Sequence, residues 1–257
     1  MESDLFSIIT VSFNSEATIG DTIRSVNRQT YQNIEHVFID GGSSDSTVDI
    51  ISRESTLKKL VISEKDKGIY DAMNKGINLS KGKFVAILNS DDCFAHENVL
   101  FDVIKLFKNE VDIVYGNISY FKDKPESVVR IWRTSEYSSG AFTRGWHPPH
   151  PAFFVARRAY ESYGYFNTRY RIAADYELMF RLLEIQSLKY KFIDQVLVHM
   201  RLGGESNSSI TNVLKGNKEI RVALRSYGIN KGIVFTIGRL CEKIRQYLLL
   251  VFAIILD

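Results

Sequence analysis

Two cysteines and four prolines among 257 residues set the first limits. Cys93 and Cys241 form no C-x-x-C pair, and two thiols are too few for a disulfide framework or a thiolate metal cage. A reducing cytosol is the expected setting. An excess of one charge is also missing: 33 Lys and Arg against 30 Asp and Glu leave a formal net charge of +3. That balance lacks the concentrated basic field of a general nucleic-acid binder, so nucleic acid is not an expected partner. The opening "MESDLFSIITVSFN" carries acidic residues where a signal peptide carries positive charge, and export is not expected. No G-x-G-x-x-G follows the first apolar run, which argues against a dinucleotide dehydrogenase. "TVSFNSEATI" likewise lacks the Gly-rich, basic loop of a nucleotidyltransferase acting on sugar phosphates. The chain shows no internal repeat and no linker long enough to separate a pair of domains.

Long hydrophobic runs are absent until the last residues. "RLCEKIRQYLLLVFAIILD" ends in nine apolar residues, Leu248 to Leu256, behind Arg239, Lys243 and Arg245. A bilayer span needs about 20. The run therefore either lies on the inner face of the cell membrane, held by its positive neighbours, or forms a last core helix or an oligomer contact. Residues 1–210 read as the main domain and 211–257 as a C-terminal helical segment with this basic-apolar end.

What is present is a core, with 45% hydrophobic residues, and strands alternating with helices through the first half of the chain. "FSIITVSFN" reads as a buried strand, and Ile19, Ile23 and Val26 recur after it at helical spacing. "IEHVFID" ends in Asp40 and the turn-rich "GGSSDST", where Asp45 or Ser46 can cap a helix carrying Val48 and Ile51. "KLVISE" precedes a helix through "GIYDAMNKGINL", with Ile69, Ala72, Met73 and Ile77 on one face. "FVAIL" then leads straight into Asp91 and Asp92. A further helix (Val99, Leu100, Val103, Ile104, Phe107) leads to "VDIVYG" and a hairpin through "ISYFKDKPESVVRIW"; "KYKFID" and "QVLVHMRL" are the last expected strands.

This order predicts an α/β fold with a mostly parallel central sheet and helices on both faces. Ligands in such sheets bind at the carboxyl ends of strands, where Asn14, Asp40 and the Asp91–Asp92 pair fall. Two adjacent carboxylates at a strand end, with no Cys or His cluster beside them, suit a hard divalent cation bound through oxygen, Mg²⁺ or Mn²⁺. A cation completed by a phosphorylated ligand makes the two like charges tolerable.

"SIITVSFN", "VFIDGGSSDST", "DKGIYDAMNKG", "GKFVAILNSDD" and "AADYELMFRL" occur in one order over roughly residues 5 to 205. Together they resemble the family 2 glycosyltransferases of the GT-A fold, closest to bacterial enzymes that build surface polysaccharides. The resemblance implies a nucleotide-diphospho-sugar donor, with UDP favoured, a divalent cation and transfer with inversion. The acceptor it implies is a hydroxyl of a saccharide or of a lipid-linked saccharide. A catalytically silent nucleotide-sugar-binding or scaffold protein of the same fold is the alternative, opposed by the joint presence of Asp40, Asp92 and Asp175.

By the resemblance, Asp40 hydrogen-bonds the donor's base and Thr10, Ser12 and Asn14 line the same pocket; Asp40 also fits an Asx-type turn. Asp66 falls near the nucleotide or caps a helix, and Lys75 either reaches a phosphate or sits on a solvated helix face. Asp92 is expected on the metal and Asp91 on the ribose or a water beside it. The expected base is Asp175, opposite the departing diphosphate, where it takes the acceptor's proton; Ala174 stands where many relatives have Glu. His147 and His150, in "GWHPPHPAFF", either belong to an acceptor-binding loop or are partly buried structural histidines. His199 is a candidate to complete the metal shell, Gly203, Gly204 and Ser206 suggest a loop closing over the donor, and Cys93 reads as packing.

Overall fold

The computed structural model describes residues 4–125, 127–203 and 210–230. The first four strands, β1 (Phe6–Ser12), β2 (Ile34–Asp40), β3 (Lys58–Ser63) and β4 (Phe84–Ile87), run parallel in the spatial order β3-β2-β1-β4. Parallel neighbours need crossovers. Helices α1 (Ile19–Asn27), α2 (Thr47–Glu54) and α3 (Ile69–Leu79) supply them.

Past β4 the sheet becomes mixed. β5 (Cys93–Phe94) and α4 (Val99–Leu106) precede the hairpin of β6 (Ile113–Phe121) and β7 (Val128–Trp132). β8 (Phe153–Ala156) joins β4 to β6, antiparallel to both. β9 (Tyr190–Arg201) runs parallel to β6 and antiparallel to β5. Thus β1 to β4, β6 and β9 point one way, and β5, β7 and β8 the other. "KYKFID" and "QVLVHMRL" form this single strand β9, whose register against β6 shifts around Asn117.

The sheet is covered on both faces, and β1 shows how. Its alternate residues Ile9 and Val11 pack with Met73 and Ile77 of α3, while Phe6 and Ile8 pack in the cluster that holds Val99, Leu100 and Val103 of α4. Burial on both faces is why the strand reads as a nearly continuous apolar run. Ile19, Ile23, Phe38 and Ile51 form a third cluster under α1 and α2. Ala72, Met73 and Ile77 face inward from α3 as expected, while Tyr70 is buried in place of Ile69, which is exposed. Gly76 allows this close seat, since a Cβ there would stand 2.4 Å from Ile9 Cγ2.

Three further helices close the face over α3: α5 (Arg157–Tyr163), α6 (Ala174–Phe180), which continues as a π turn through Ile185, and α7 (Ile210–Ser226). Ile220, Ala223 and Leu224 of α7 bury in the same cluster as Leu178, Met179 and Phe180 of α6. The helix after residue 210 therefore shares the main core. Gly204, Ser206 and the Leu248–Leu256 run with its basic neighbours lie outside the described residues. Among the described residues no helix is long and apolar enough to cross a membrane.

Candidate active site

The carboxyl ends of β1, β2 and β3 meet in one row, with Ser12, Asp40 and Ser63 as register partners. Asp40 is fully buried. Its Oδ1 accepts from Ser12 Oγ (3.0 Å) and Ser43 Oγ (2.5 Å), and its Oδ2 from the backbone of Gly42 (3.1 Å) and Ser43 (2.8 Å) and from Ser63 Oγ (2.7 Å). Burial pushes the Asp40 carboxyl up, but these donors outweigh it and hold it below the usual carboxylate range. The Asx-type turn is therefore present, and it consumes the oxygens that a direct contact with a base would use.

Asn14 stitches the neighbouring loop to this turn. It adopts a left-handed backbone with φ 47°, donates its N–H to Ser43 Oγ at 2.8 Å and accepts from Ser44 N at 2.9 Å. Thr10 is placed differently. It is fully buried inside the sheet, 2.9 Å from His36 Nε2, and lies away from the strand ends. Burial lowers the His36 pKa to about 3 and keeps the ring neutral.

Asp66 reaches the same rim from the loop before α3. Its Oδ1 accepts from Gly68 N at 2.8 Å, and its Oδ2 lies 2.9 Å from where a Cβ on Gly41 would be. The same point is 3.4 Å from the ring of Phe13, which is 64% exposed. Gly41, Asp66 and Phe13 thus enclose one corner of the strand-end surface. Lys75 instead pairs with Glu64 at 2.6 Å on the outside of α3, as a solvated helix face would.

The loop after β4 joins this rim through Ser15 Oγ, 2.9 Å from Ser90 Oγ. In the turn Asn89–Asp92 the two carboxylates diverge. Asp92 is 1% exposed, and accepts from the Arg201 backbone at 3.1 Å and from Asn89 Nδ2 at 3.3 Å. Burial, reinforced by the neighbouring Asp91 charge, raises its pKa well above the usual value. Asp91 is only partly buried, and burial raises it too. Asn89 Oδ1 is buried without a hydrogen-bond partner among the described residues. The two desolvated carboxyls and the orphaned amide oxygen lie in one turn and are donors of the type a hard divalent cation takes, while among the described residues no three His, Cys, Asp or Glu side chains group to hold one. His199 stands in β9 opposite Cys93, with its Nδ1 2.5 Å from Ser119 Oγ.

Asp175 opens α6, 105 residues from its partner Tyr70. Its Oδ1 accepts from Tyr176 N at 2.8 Å and from the Tyr70 hydroxyl at 3.2 Å, and that hydroxyl also reaches Ile172 O at 2.8 Å. Burial and the Asp175 charge push the Tyr70 pKa well up, so it stays a donor. α3 therefore ties the Asp66 rim at its N-terminus to Asp175 through Tyr70. Both histidines of "GWHPPHPAFF" belong to this side: His147 packs edge-on to Tyr176 at 5.4 Å. His150 packs on Phe166 at 5.5 Å; burial lowers its pKa against the opposing pull of Asp175.

Motif reading missed two participants. Phe13 sits inside "SIITVSFN", and its aromatic ring at a strand end was the available signal. Glu219 of α7 gave none. Its carboxylate accepts from the backbone of Arg171 (3.1 Å), Ile172 (2.8 Å) and Ala173 (3.0 Å), and so fixes the turn that presents Asp175.

Comparison with known proteins bears on the family and the fold. The glycosyl transferase family 2 profile matches residues 7–180. A Mycobacterium bovis protein described as a PGL/p-HBAD biosynthesis glycosyltransferase is 30% identical over 224 residues, 82% of either chain. Escherichia coli WfgD, a UDP-Glc:alpha-D-GlcNAc-diphosphoundecaprenol beta-1,3-glucosyltransferase, is 36% identical over 118 residues, 46% of this chain and 47% of its own. Among solved structures, the mannosyltransferase PcManGT of Pyrobaculum calidifontis, in complex with GDP-Man and Mn²⁺, superposes with a TM-score of 0.64 at 16% identity. That match covers 93% of this chain and 68% of PcManGT. S. aureus TarS gives 0.61 at 16% identity over 86% of this chain, which spans 39% of the TarS chain. Sheet topology, motif order and the span of the profile agree, and the chain is a glycosyltransferase belonging to glycosyl transferase family 2.

Proposed function

We propose that this enzyme moves a sugar, with inversion, from a nucleotide-diphospho-sugar to a hydroxyl of a saccharide or lipid-linked saccharide, with a divalent cation at Asp91. The observation that carries the reading is the N-terminal end of α3: Asp66, in the loop just before it, lies at the donor-side strand ends, and Tyr70 in its first turn reaches the Asp175 carboxylate. One helix end thus serves both a carboxylate on the donor side and the base. A UDP donor is favoured by the UDP-Glc in the name of WfgD and by TarS having been solved with UDP-GlcNAc. PcManGT, solved with GDP-Man, keeps guanosine as the competing base. WfgD also supports a diphosphate-linked lipid acceptor.

Asp40 shapes the base pocket by ordering the Gly41–Ser43 turn, and Asp66 presents a carboxylate beside Gly41 where it can meet the base. The exposed Phe13 ring supplies a face for stacking. The cation is assigned to Asp91 and Asn89 Oδ1. Asp92 is the enclosed member, anchoring the turn to β9, which reverses the roles the resemblance suggested for the two aspartates. When bound, the cation stabilises the negative charge that grows on the departing diphosphate. Asp175 takes the proton of the acceptor hydroxyl as it attacks, held in orientation by Tyr70 and by the turn that Glu219 fixes. His147 and His150 line the acceptor side.

The test is calorimetric titration with UDP, GDP and dTDP, each with Mn²⁺ and with excess chelator. Metal-dependent selection of UDP is expected. Binding of none of the three would remove the transferase reading and leave a silent scaffold of the same fold.

A further inference from the structure

The outer face of α7 is not used by any step above, and its composition is unusual for a solvated helix. Leu214, Lys215, Lys218, Arg221, Val222 and Arg225 are all exposed. At about 100° per residue they fall within one arc of roughly 120°. Leu214 is 63% exposed and Val222 48%, and they flank Lys218 at the centre of that arc. The one acidic residue of α7, Glu219, is turned away to the Asp175 turn. None of the four cations forms an ion pair among the described residues. The face therefore carries four uncompensated positive charges around two exposed aliphatic side chains.

We infer that this face of α7 docks on an anionic phospholipid bilayer. Lys and Arg at its margins reach lipid phosphates while their stems lie along the apolar boundary, and Leu214 and Val222 enter that boundary. The aliphatic pair decides the occupant. A soluble polyanion such as nucleic acid would satisfy the cations and leave both aliphatic side chains in water. A bilayer satisfies both groups. Docking here also has a consequence for geometry: the opposite face of α7 holds the Asp175 turn, so the base would lie within about one to two helix diameters of the lipid surface, on the order of 10–20 Å. The docking itself does not depend on the reaction proposed above.

The test is co-sedimentation of the full chain with phosphatidylglycerol/phosphatidylcholine vesicles and with pure phosphatidylcholine vesicles, at low and high salt. Wild type should partition onto the anionic vesicles only, and salt should weaken it. Two variants separate the contributions: Lys215→Gln/Lys218→Gln/Arg221→Gln/Arg225→Gln, and Leu214→Gln/Val222→Gln. Each should lower partitioning at least about tenfold. Melting temperature and nucleotide titration should stay unchanged, because every altered side chain is exposed and far from the donor-side strand ends. If both variants sediment like wild type, any vesicle binding belongs to another segment and the inference fails. It also fails if wild type binds single-stranded oligonucleotide but not anionic vesicles. Nucleotide titration on the same samples reports separately on the proposed reaction.

Discussion

The donor-side strand ends and the Asp175 turn are built in opposite ways. At the strand ends the contacts are short in sequence and dense: Asp40 is satisfied by its own loop and by register neighbours, 2 to 28 residues away. The Asp175 turn has little of its own to hold it. It is positioned by Tyr70, 105 residues earlier, and by Glu219, 44 residues later in the chain and 46 to 48 from the backbone groups it holds. One half is a local turn that the sheet merely presents; the other exists only once α3, α6 and α7 have packed together. Changes in the first half should act on nucleotide binding, and changes in the second on the rate of transfer.

The largest expected effect tests that division directly. Asp175→Asn should lower turnover by about 10²–10⁴-fold, the usual contribution of a general base. Donor affinity should stay within about threefold, because the base acts only as the acceptor attacks. Transfer at the native rate would end the assignment of Asp175, and a parallel loss of donor affinity would show that the two halves are not separable.

Next is the aspartate pair. Asp91→Asn should weaken Mn²⁺-dependent nucleotide binding by at least about tenfold without lowering the melting temperature, since its side chain is partly exposed and the turn is anchored through Asp92 instead. Asp92→Asn keeps an oxygen for the Arg201 backbone and relieves a like-charge contact, so metal-dependent binding should fall less. If Asp92→Asn abolishes metal dependence and Asp91→Asn does not, the enclosed carboxylate is the ligand after all.

The same division explains what could be read from residues alone. Strand and helix order was legible because buried parallel strands and amphipathic helices leave strong periodicities, and the "IDGGSSDST" turn because Asp, Gly and Ser carry their own turn chemistry. The depth of Thr10 was not legible. It shares a face with Ser12, and only its pairing with His36 shows that it stops short of the strand end. Nor could adjacent Asp91 and Asp92 be told apart, because what draws Asp92 inward includes a backbone N–H of Arg201, 109 residues on. One position on the inward face of α3 was misread, Ile69 for Tyr70: both are apolar enough to fit, but it is Tyr70 that is buried and reaches Asp175. Glu219 lies beyond every motif, and its role is entirely tertiary.

Glu219→Gln sharpens the comparison further at smaller cost. Oε2 accepts from both Ile172 and Ala173 and Oε1 from Arg171, so in either orientation the amide nitrogen would turn a donor towards at least one backbone N–H. Turnover should fall about tenfold, with donor affinity unchanged and only a small drop in melting temperature. A fall in stability with turnover unaltered would show that Glu219 anchors α7 without positioning Asp175.

The effect with the least bearing on turnover concerns the sheet beneath the strand ends. His36 is buried neutral with its pKa lowered to about 3, against an ordinary value of 6.5 for the unfolded chain. Below pH 6.5 the unfolded chain takes up a proton that the folded one refuses, so this group's contribution is fully present above pH 6.5 and is lost as pH falls towards 3. The slope is at most about 1.4 kcal/mol per pH unit. His36→Gln removes that titration and keeps a polar group for Thr10. Denaturant unfolding of both proteins between about pH 4 and about pH 7.5 should give curves that converge in slope above about pH 6.5 and differ by up to one proton below it. Equal slopes throughout would mean that His36 is charged or solvated in the folded protein, and the row of contacts under Asp40 would then be softer than the hydrogen bonds of its turn imply.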